Sequence, residues 1–178
     1  LNLPTEPTRR GYAFLGWFTQ ETGGTQVDGN TVFKEVASTT YYAHWEEATV
    51  FYVIVPAVLP VTVDQNGKVY VSNAEIVNHS TAAVQVSSVT LTAENGWTLV
   101  PYASDMSHAK VDSNQIGFKI NSAQTSKTGS TEQFELTSPW QIAEEESLTL
   151  SYDAVVSALS QPVTNANILS VLFVVEWA

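Results

Sequence analysis

Eighteen acidic against seven basic residues give the 178-residue chain a formal net charge of −11, and the cations Arg9, Arg10, Lys34, Lys68, Lys110, Lys119 and Lys127 form no cluster. That distribution lacks the electrostatic footprint of a nucleic-acid binder or of a polybasic membrane anchor. Cysteine is absent, which removes disulfide frameworks, thiolate zinc sites and a cysteine nucleophile in one step and favours an exported protein.

The length admits two domains, expected at residues 1–47 and 48–178. In the first, Arg9-Arg10-Gly11-Tyr12-Ala13-Phe14-Leu15-Gly16-Trp17-Phe18 sets two arginines beside four aromatic residues. Such a stretch is either a surface that grips sugars or nucleotides or one strand of a small core. The core is expected, with the arginines in a Pro/Thr-rich entry loop and any cation–π contact structural. Gly11 is expected to leave the preceding turn at positive φ, and Gly16 to make room beside Trp17.

From Ala48 onward Val, Ile, Thr and Tyr alternate between Asn/Asp/Gly turns, the pattern of extended chain. Val61/Val63 and Val69/Val71 flank Asn66-Gly67 and predict a hairpin. Val84 and Val86 share one phase while Val89, Leu91 and Ala93 share the other, which predicts a bulge at Ser87-Ser88. Further strands are expected at Tyr52–Val55, around Trp97–Leu99, over Ile116–Ile120, at Phe134–Leu136 and through Leu148, Leu150, Tyr152, Ala154 and Val156. The last run, Ile168–Trp177, is apolar on both faces apart from Ser170 and Glu176 and predicts a central strand covered on both sides. Its core, Val171–Val175, is far shorter than the ~20 residues that span a bilayer, so no membrane insertion is expected. The segment opens without a basic, apolar leader and closes without a tail, so targeting signals are expected outside it. Eight to ten strands at this spacing predict an all-β chain whose larger part is one antiparallel β-sandwich, immunoglobulin-like or jelly-roll.

The motif Leu3-Pro4, Pro7-Thr8, Gly11-Tyr12, Phe14, Gly16-Trp17-Phe18, Gly23-Gly24 and Tyr42-Ala43-His44-Trp45 resembles the Listeria–Bacteroides repeat, also called the internalin B-type repeat, of bacterial surface proteins. The resemblance covers about a quarter of the chain. It implies a small β-grasp-like unit without catalytic residues, in which Tyr12, Phe14, Trp17 and Trp45 pack together. It also implies one or two further strands ahead of Leu1, so an incomplete sheet with an exposed edge is expected. The sandwich is similar, through Val55–Val63, Ile76–Ser80, Asn95–Leu99, Ser151–Ala154 and Asn167–Trp177, to domains of exported proteins of Gram-positive gut bacteria. The segments around Ile76 and near the end resemble TasA/camelysin-like matrix proteins, which implies a structural role.

Little chemistry competes with that reading. His44, His79 and His108 lack the spacing of a helical zinc site, and no serine sits in a Gly-x-Ser-x-Gly elbow. Asp64-Gln65-Asn66-Gly67 lacks the third acid and distal Glu of a calcium loop. Glu144-Glu145-Glu146 and Asp112-Ser113-Asn114 are expected to be solvated. Asn78-His79-Ser80 matches a glycosylation acceptor, and none of the lysines is placed for an isopeptide bond. No enzyme, cofactor or metal is expected. The leading expectation is an extracellular structural or adhesive module of a bacterial cell-surface protein with a protein or glycan partner. The alternative is a carbohydrate-binding module that stacks sugars on Trp97, Tyr102 and Trp140. Of these, Trp97 continues the inward phase of Val89 and Leu91, Tyr102 is expected to be exposed, and Trp140, after Pro139 at a strand end, is expected as a lid over the core.

Overall fold

The computed structural model describes residues 3–32, 39–64, 69–161, 163 and 166–178. The chain is all-β and divides into two compact units, Leu1–Phe51 and Tyr52–Ala178.

In the first unit, β1 (Tyr12–Phe18) is the middle strand of an antiparallel sheet, between β2 (Gln26–Val27) and β3 (Tyr42–Glu47). Gly11, at φ 71°, closes the entry turn, so that the Tyr12 amide donates to the Arg9 carbonyl at 3.1 Å. The Arg9 guanidinium then lies 3.7 Å above the centre of the Tyr12 ring. Phe14 pairs with Trp45 and Gly16 with His44, so Leu15 is an extra residue in β1. This bulge shifts the period-two phase by one, which is why Phe14 and Trp17, three apart, share a face. Phe14 meets Trp17 edge-on at 5.5 Å between ring centres and meets Trp45 at 5.5 Å. Trp17 itself is paired with Ala43.

Gly16 has a structural reason of its own. It sits at φ 132° in the bulge, where side-chain-bearing residues are strained. A Cβ there would strike the Gln26 side chain amide, which reaches across to donate to the Leu15 carbonyl at 2.9 Å. The room at Gly16 is taken by the Gln26 side chain.

The second unit runs β4 (Val53–Ile54), β5 (Val61–Val63), β6 (Val69–Val71), β7 (Ala74–Asn78), β8 (Val84–Ala93), β9 (Thr98–Leu99), a 3₁₀ turn (Met106–His108), β10 (Gln115–Ile120), β11 (Ala123–Gln124), β12 (Thr131–Ile142), β13 (Ser147–Leu150), β14 (Tyr152–Val156) and β15 (Leu169–Trp177). One layer is β12-β8-β15. The other joins β4-β7-β13 to β14-β10, because β13 runs into β14 through Ser151, with the short β9 and β11 on the far side of β10. At that switch the Ser151 amide donates to Asn121 Oδ1 at 2.8 Å and the Asn121 amide to the Ser151 carbonyl at 2.7 Å. The layers enclose one core that includes Ile76, Val84, Val86, Val89, Leu91, Ile116, Phe118, Ile120, Ile142 and Tyr152.

The strands at Val61–Val63 and Val69–Val71 pair as a hairpin; the Asn66-Gly67 turn between them lies outside the described residues. The bulge at Ser87-Ser88 is present: Val174 pairs with Ser88 and Val175 with Val86, leaving Ser87 extra. Three features differ from expectation. First, the sandwich is not wholly antiparallel, because β9 pairs with β10 in parallel; the long connection between them, with its 3₁₀ turn, gives the chain length that a parallel return needs. Second, Trp140 lies inside β12 and not at a strand end, since that strand resumes after its pairing with β8 breaks between Glu135 and Trp140. Third, β15 is an edge strand, paired among the described residues only with β8. Its apolar outer face is exposed as well, with Leu172 at 63 % and Val174 at 43 %.

Candidate functional site

Of the three candidate sugar-stacking rings Trp140 is buried, while Trp97 and Tyr102 are half-buried. Trp97 follows a tight turn in which Asn95 and Gly96 both take positive φ, 50° and 82°, the geometry that Asn-Gly supplies in two-residue turns. Its amide donates back to the Glu94 carbonyl at 3.0 Å, and its side chain packs against the sandwich core. Trp140 is 9 % exposed and donates Nε1–H to Ser122 Oγ at 2.9 Å. Tyr102 is half-buried, not exposed as expected, because its hydroxyl donates to Asp153 Oδ2 at 2.8 Å and draws the ring onto β14.

That hydrogen bond, followed by partial desolvation and the Asp153 charge, raises the Tyr102 hydroxyl above its ordinary 10.0. A group whose folded pKa is raised contributes stability that is complete below pH 10 and is lost as pH rises through the folded value. In a titration of the phenolates followed by NMR, Tyr102 is expected to ionise above the exposed tyrosines, and Asp153→Asn to bring it down. An unchanged Tyr102 midpoint in that variant would show that the contact does not persist in solution.

The histidines are also engaged, each in a different way. His44 stacks on Phe18 at 3.9 Å with planes 7° apart, and its Nε2 lies 2.9 Å from the Gln20 carbonyl. His79 Nδ1 is 3.3 Å from Glu145 Oε2, with Tyr52 beside the ring at 5.4 Å. His108 has a serine and an aspartate near it, but both approach one nitrogen: Ser107 Oγ at 2.9 Å and Asp105 Oδ2 at 3.8 Å from Nδ1. A nucleophile–base–acid relay needs the two ring nitrogens to serve different partners. Here the imidazole side chain is 92 % exposed, and Asp105 caps the 3₁₀ turn through the Ser107 amide at 2.9 Å. That bond holds the Asp105 carboxyl below its usual range.

The acidic segments do not gather. Among the described residues no group of three or more His, Asp or Glu is arranged to hold a metal ion. Asp112 accepts from the Ser160 amide at 2.8 Å and hydroxyl at 2.7 Å, a clamp between loops that lowers its pKa. Glu144, Glu145 and Glu146 form an exposed turn. Of the Asp64–Gly67 stretch, only Asp64 lies among the described residues. Lys110, Lys119 and Lys127 are exposed, while Lys34 and Lys68 lie outside the described residues.

A polar centre that the sequence motifs concealed is Asn78. It is fully buried, as is Ser80 two residues on. Asn78 Nδ2 faces the carbonyls of Ala82 (2.9 Å), Ile142 (3.2 Å) and Ala143 (2.9 Å), and Oδ1 accepts the Ser80 amide at 2.8 Å. Ser80 Oγ accepts from the Tyr52 amide at 2.9 Å. The glycosylation-like motif is therefore closed in the folded chain, because its nitrogen pins the end of β7 to the turn after β12. A beige-looking acceptor triplet is in fact a structural polar node of the kind buried side chains must form to be tolerated.

In the first unit Gly11, Tyr12, Phe14, Gly16, Trp17, Ala43 and Trp45 meet around β1 and β3, with Tyr42 opposite Phe18 at the strand end. Residues 1–44 match the Listeria–Bacteroides repeat domain. The match stops where the second unit has yet to begin, so it says nothing of the sandwich or of its similarity to TasA/camelysin-like proteins. No curated protein and no solved structure matches the chain.

Proposed function

We propose that this chain is a non-catalytic module of a bacterial cell-surface protein, acting outside the cell as a structural spacer or as an adhesive surface for a protein partner. The observation that carries the reading is the match of residues 1–44 to a repeat domain found in bacterial surface proteins. Supporting it, several side chains of a kind that does chemistry serve the fold: His44 stacks on Phe18, and Asp105 and Asp112 clamp loops. Among the described residues no helix is long and apolar enough to cross a membrane.

The carbohydrate reading is the weaker of the two, since a stacking platform needs several solvent-facing rings, whereas Trp140 is buried and Trp97 and Tyr102 are half-buried. The test is a surface-plasmon-resonance panel of the full chain against extracellular-matrix proteins, a glycan array, and an assay set for ester, glycoside and peptide hydrolysis. Saturable binding to a protein, or no binding and no turnover, agrees with an adhesive or spacer module. Turnover, or glycan binding lost in Trp97→Ala, would overturn the proposal.

A further inference from the structure

Among the described residues of the second unit, the strands that end a sheet are short apart from β12 and β15. The outer strands β4, β9 and β11 have two residues each. In the first layer β12 carries Glu132 and Glu135, and its pairing with β8 is interrupted across Leu136–Pro139, a combination of charge, irregularity and proline that blocks strand addition. The opposite edge, β15, is nine residues long, and from Leu169 to Val175 it contains no charge and no proline. Leu172 and Val174, on its outer face, are 63 % and 43 % exposed.

The direction of its backbone groups follows from two bonds. The Glu94 amide donates to the Ile168 carbonyl at 2.9 Å, and the Ala178 amide to the Ala83 carbonyl at 3.1 Å. With the β8 register, alternation in an antiparallel ladder commits Ser170, Leu172, Val174 and Glu176 to β8 and turns the N–H and C=O of Leu169, Val171, Phe173 and Val175 to the open edge.

We infer that β15 is a self-association edge, paired antiparallel with β15 of a second copy about a two-fold axis at Phe173. The edge-directed residues then meet across the axis: Val171 faces Val175 of the other copy, Phe173 faces its equivalent, and Leu169 faces Trp177 at each end. On the outer face Leu172 lies across from Val174, an aliphatic cross-strand pair made twice by symmetry. The only charged residue of the strand, Glu176, falls opposite Ser170 and not opposite its own equivalent. The three-stranded layers join into one continuous sheet. A second copy is the occupant that charge favours at close range: it brings the same uncharged stretch to an uncharged edge, so no ion is desolvated at the centre. At long range two chains of net charge −11 repel, and Glu94, which accepts from Ser170 Oγ at 2.9 Å, adds a carboxylate near Glu176 of the other copy. Pairing should therefore tighten as salt screens the repulsion, the reverse of an ionic contact.

The test is sedimentation of the full chain from low micromolar to submillimolar concentration at low and high salt, with amide hydrogen exchange. A monomer–dimer equilibrium that tightens with salt, with concentration-dependent protection of the Val171 and Phe173 amides, is expected. Leu172→Glu combined with Val174→Glu changes only the outer face and sets carboxylate against carboxylate, and should weaken the dimer about tenfold or more. Mixing it with a Leu172→Lys, Val174→Lys chain should restore pairing as a heterodimer. Circular dichroism confirms that each variant is folded. A chain that stays monomeric throughout, or a dimer that neither variant pair alters, would overturn the inference.

Discussion

Asn78→Ala is expected to destabilise the sandwich by roughly 3–5 kcal/mol, because each buried group left without its hydrogen bond costs about 1–3 kcal/mol. The alanine removes the donor shared among the carbonyls of Ala82, Ile142 and Ala143, of which Ala143 keeps the Glu146 amide, and leaves the buried amide of Ser80 without its acceptor. Asn78→Asp sharpens the test, since it keeps the shape and the acceptor but turns an oxygen toward three carbonyls. At neutral pH it should cost at least as much as the alanine, with part of the loss recovered as acid protonates the new carboxyl. Urea unfolding monitored by near-ultraviolet circular dichroism measures both. A loss under about 1 kcal/mol for the alanine would mean that water replaces the amide and that the node is not sealed.

Phe118→Ala should be equally severe for a different reason. Phe118 is among the largest fully buried side chains and lies 6.1 Å, ring to ring, from Tyr152. Its strand is held on both sides, by β14 and by Thr125, whose hydroxyl accepts the Phe118 amide at 3.0 Å. The backbone cannot collapse into the space, so the loss should reach about 3–5 kcal/mol, the range for removing a buried aromatic ring. Phe118→Leu, which refills most of the volume, should recover more than half of that in the same denaturation experiment. If both variants cost the same, the cavity is not what the alanine variant reports.

Much of this architecture is legible in the residues because a strand reports its own two faces. Val84, Val86, Val89 and Leu91 alternate with a single break, and the break is the bulge at Ser87. Leu150, Tyr152, Ala154 and Val156 are all buried on one side. The same logic misleads at β15, where apolar residues on both faces resemble those of a covered central strand. Periodicity reports which side chains avoid water, and it carries no information on which strand, if any, lies alongside.

Gly117 gives the complementary case. As a residue in a strand it reads as a weak point, yet a Cβ there would lie 2.7 Å from Val155 Cγ2 and 2.8 Å from the Tyr102 Cα. The glycine is set by two segments far away in the chain, and nothing beside it in sequence announces them. The candidate site divides in the same way. How the three rings are held was only partly readable: the phase of Trp97 pointed inward, but the hydrogen bonds that hold Tyr102 to Asp153 and Trp140 to Ser122 join residues 51 and 18 positions apart.

By itself the sequence determined the fold class, the aromatic and glycine motif of the first unit and the scatter of its few cations along the chain, since all three follow from residue type and local spacing. Tertiary structure decided the rest. It put Phe14 and Trp17 on one face through the Leu15 bulge, turned an acceptor-like Asn78 into a sealed node, and left β15 with an open edge. Each of these depends on which distant backbone groups satisfy which hydrogen bonds, and such pairing is a property of the folded chain alone.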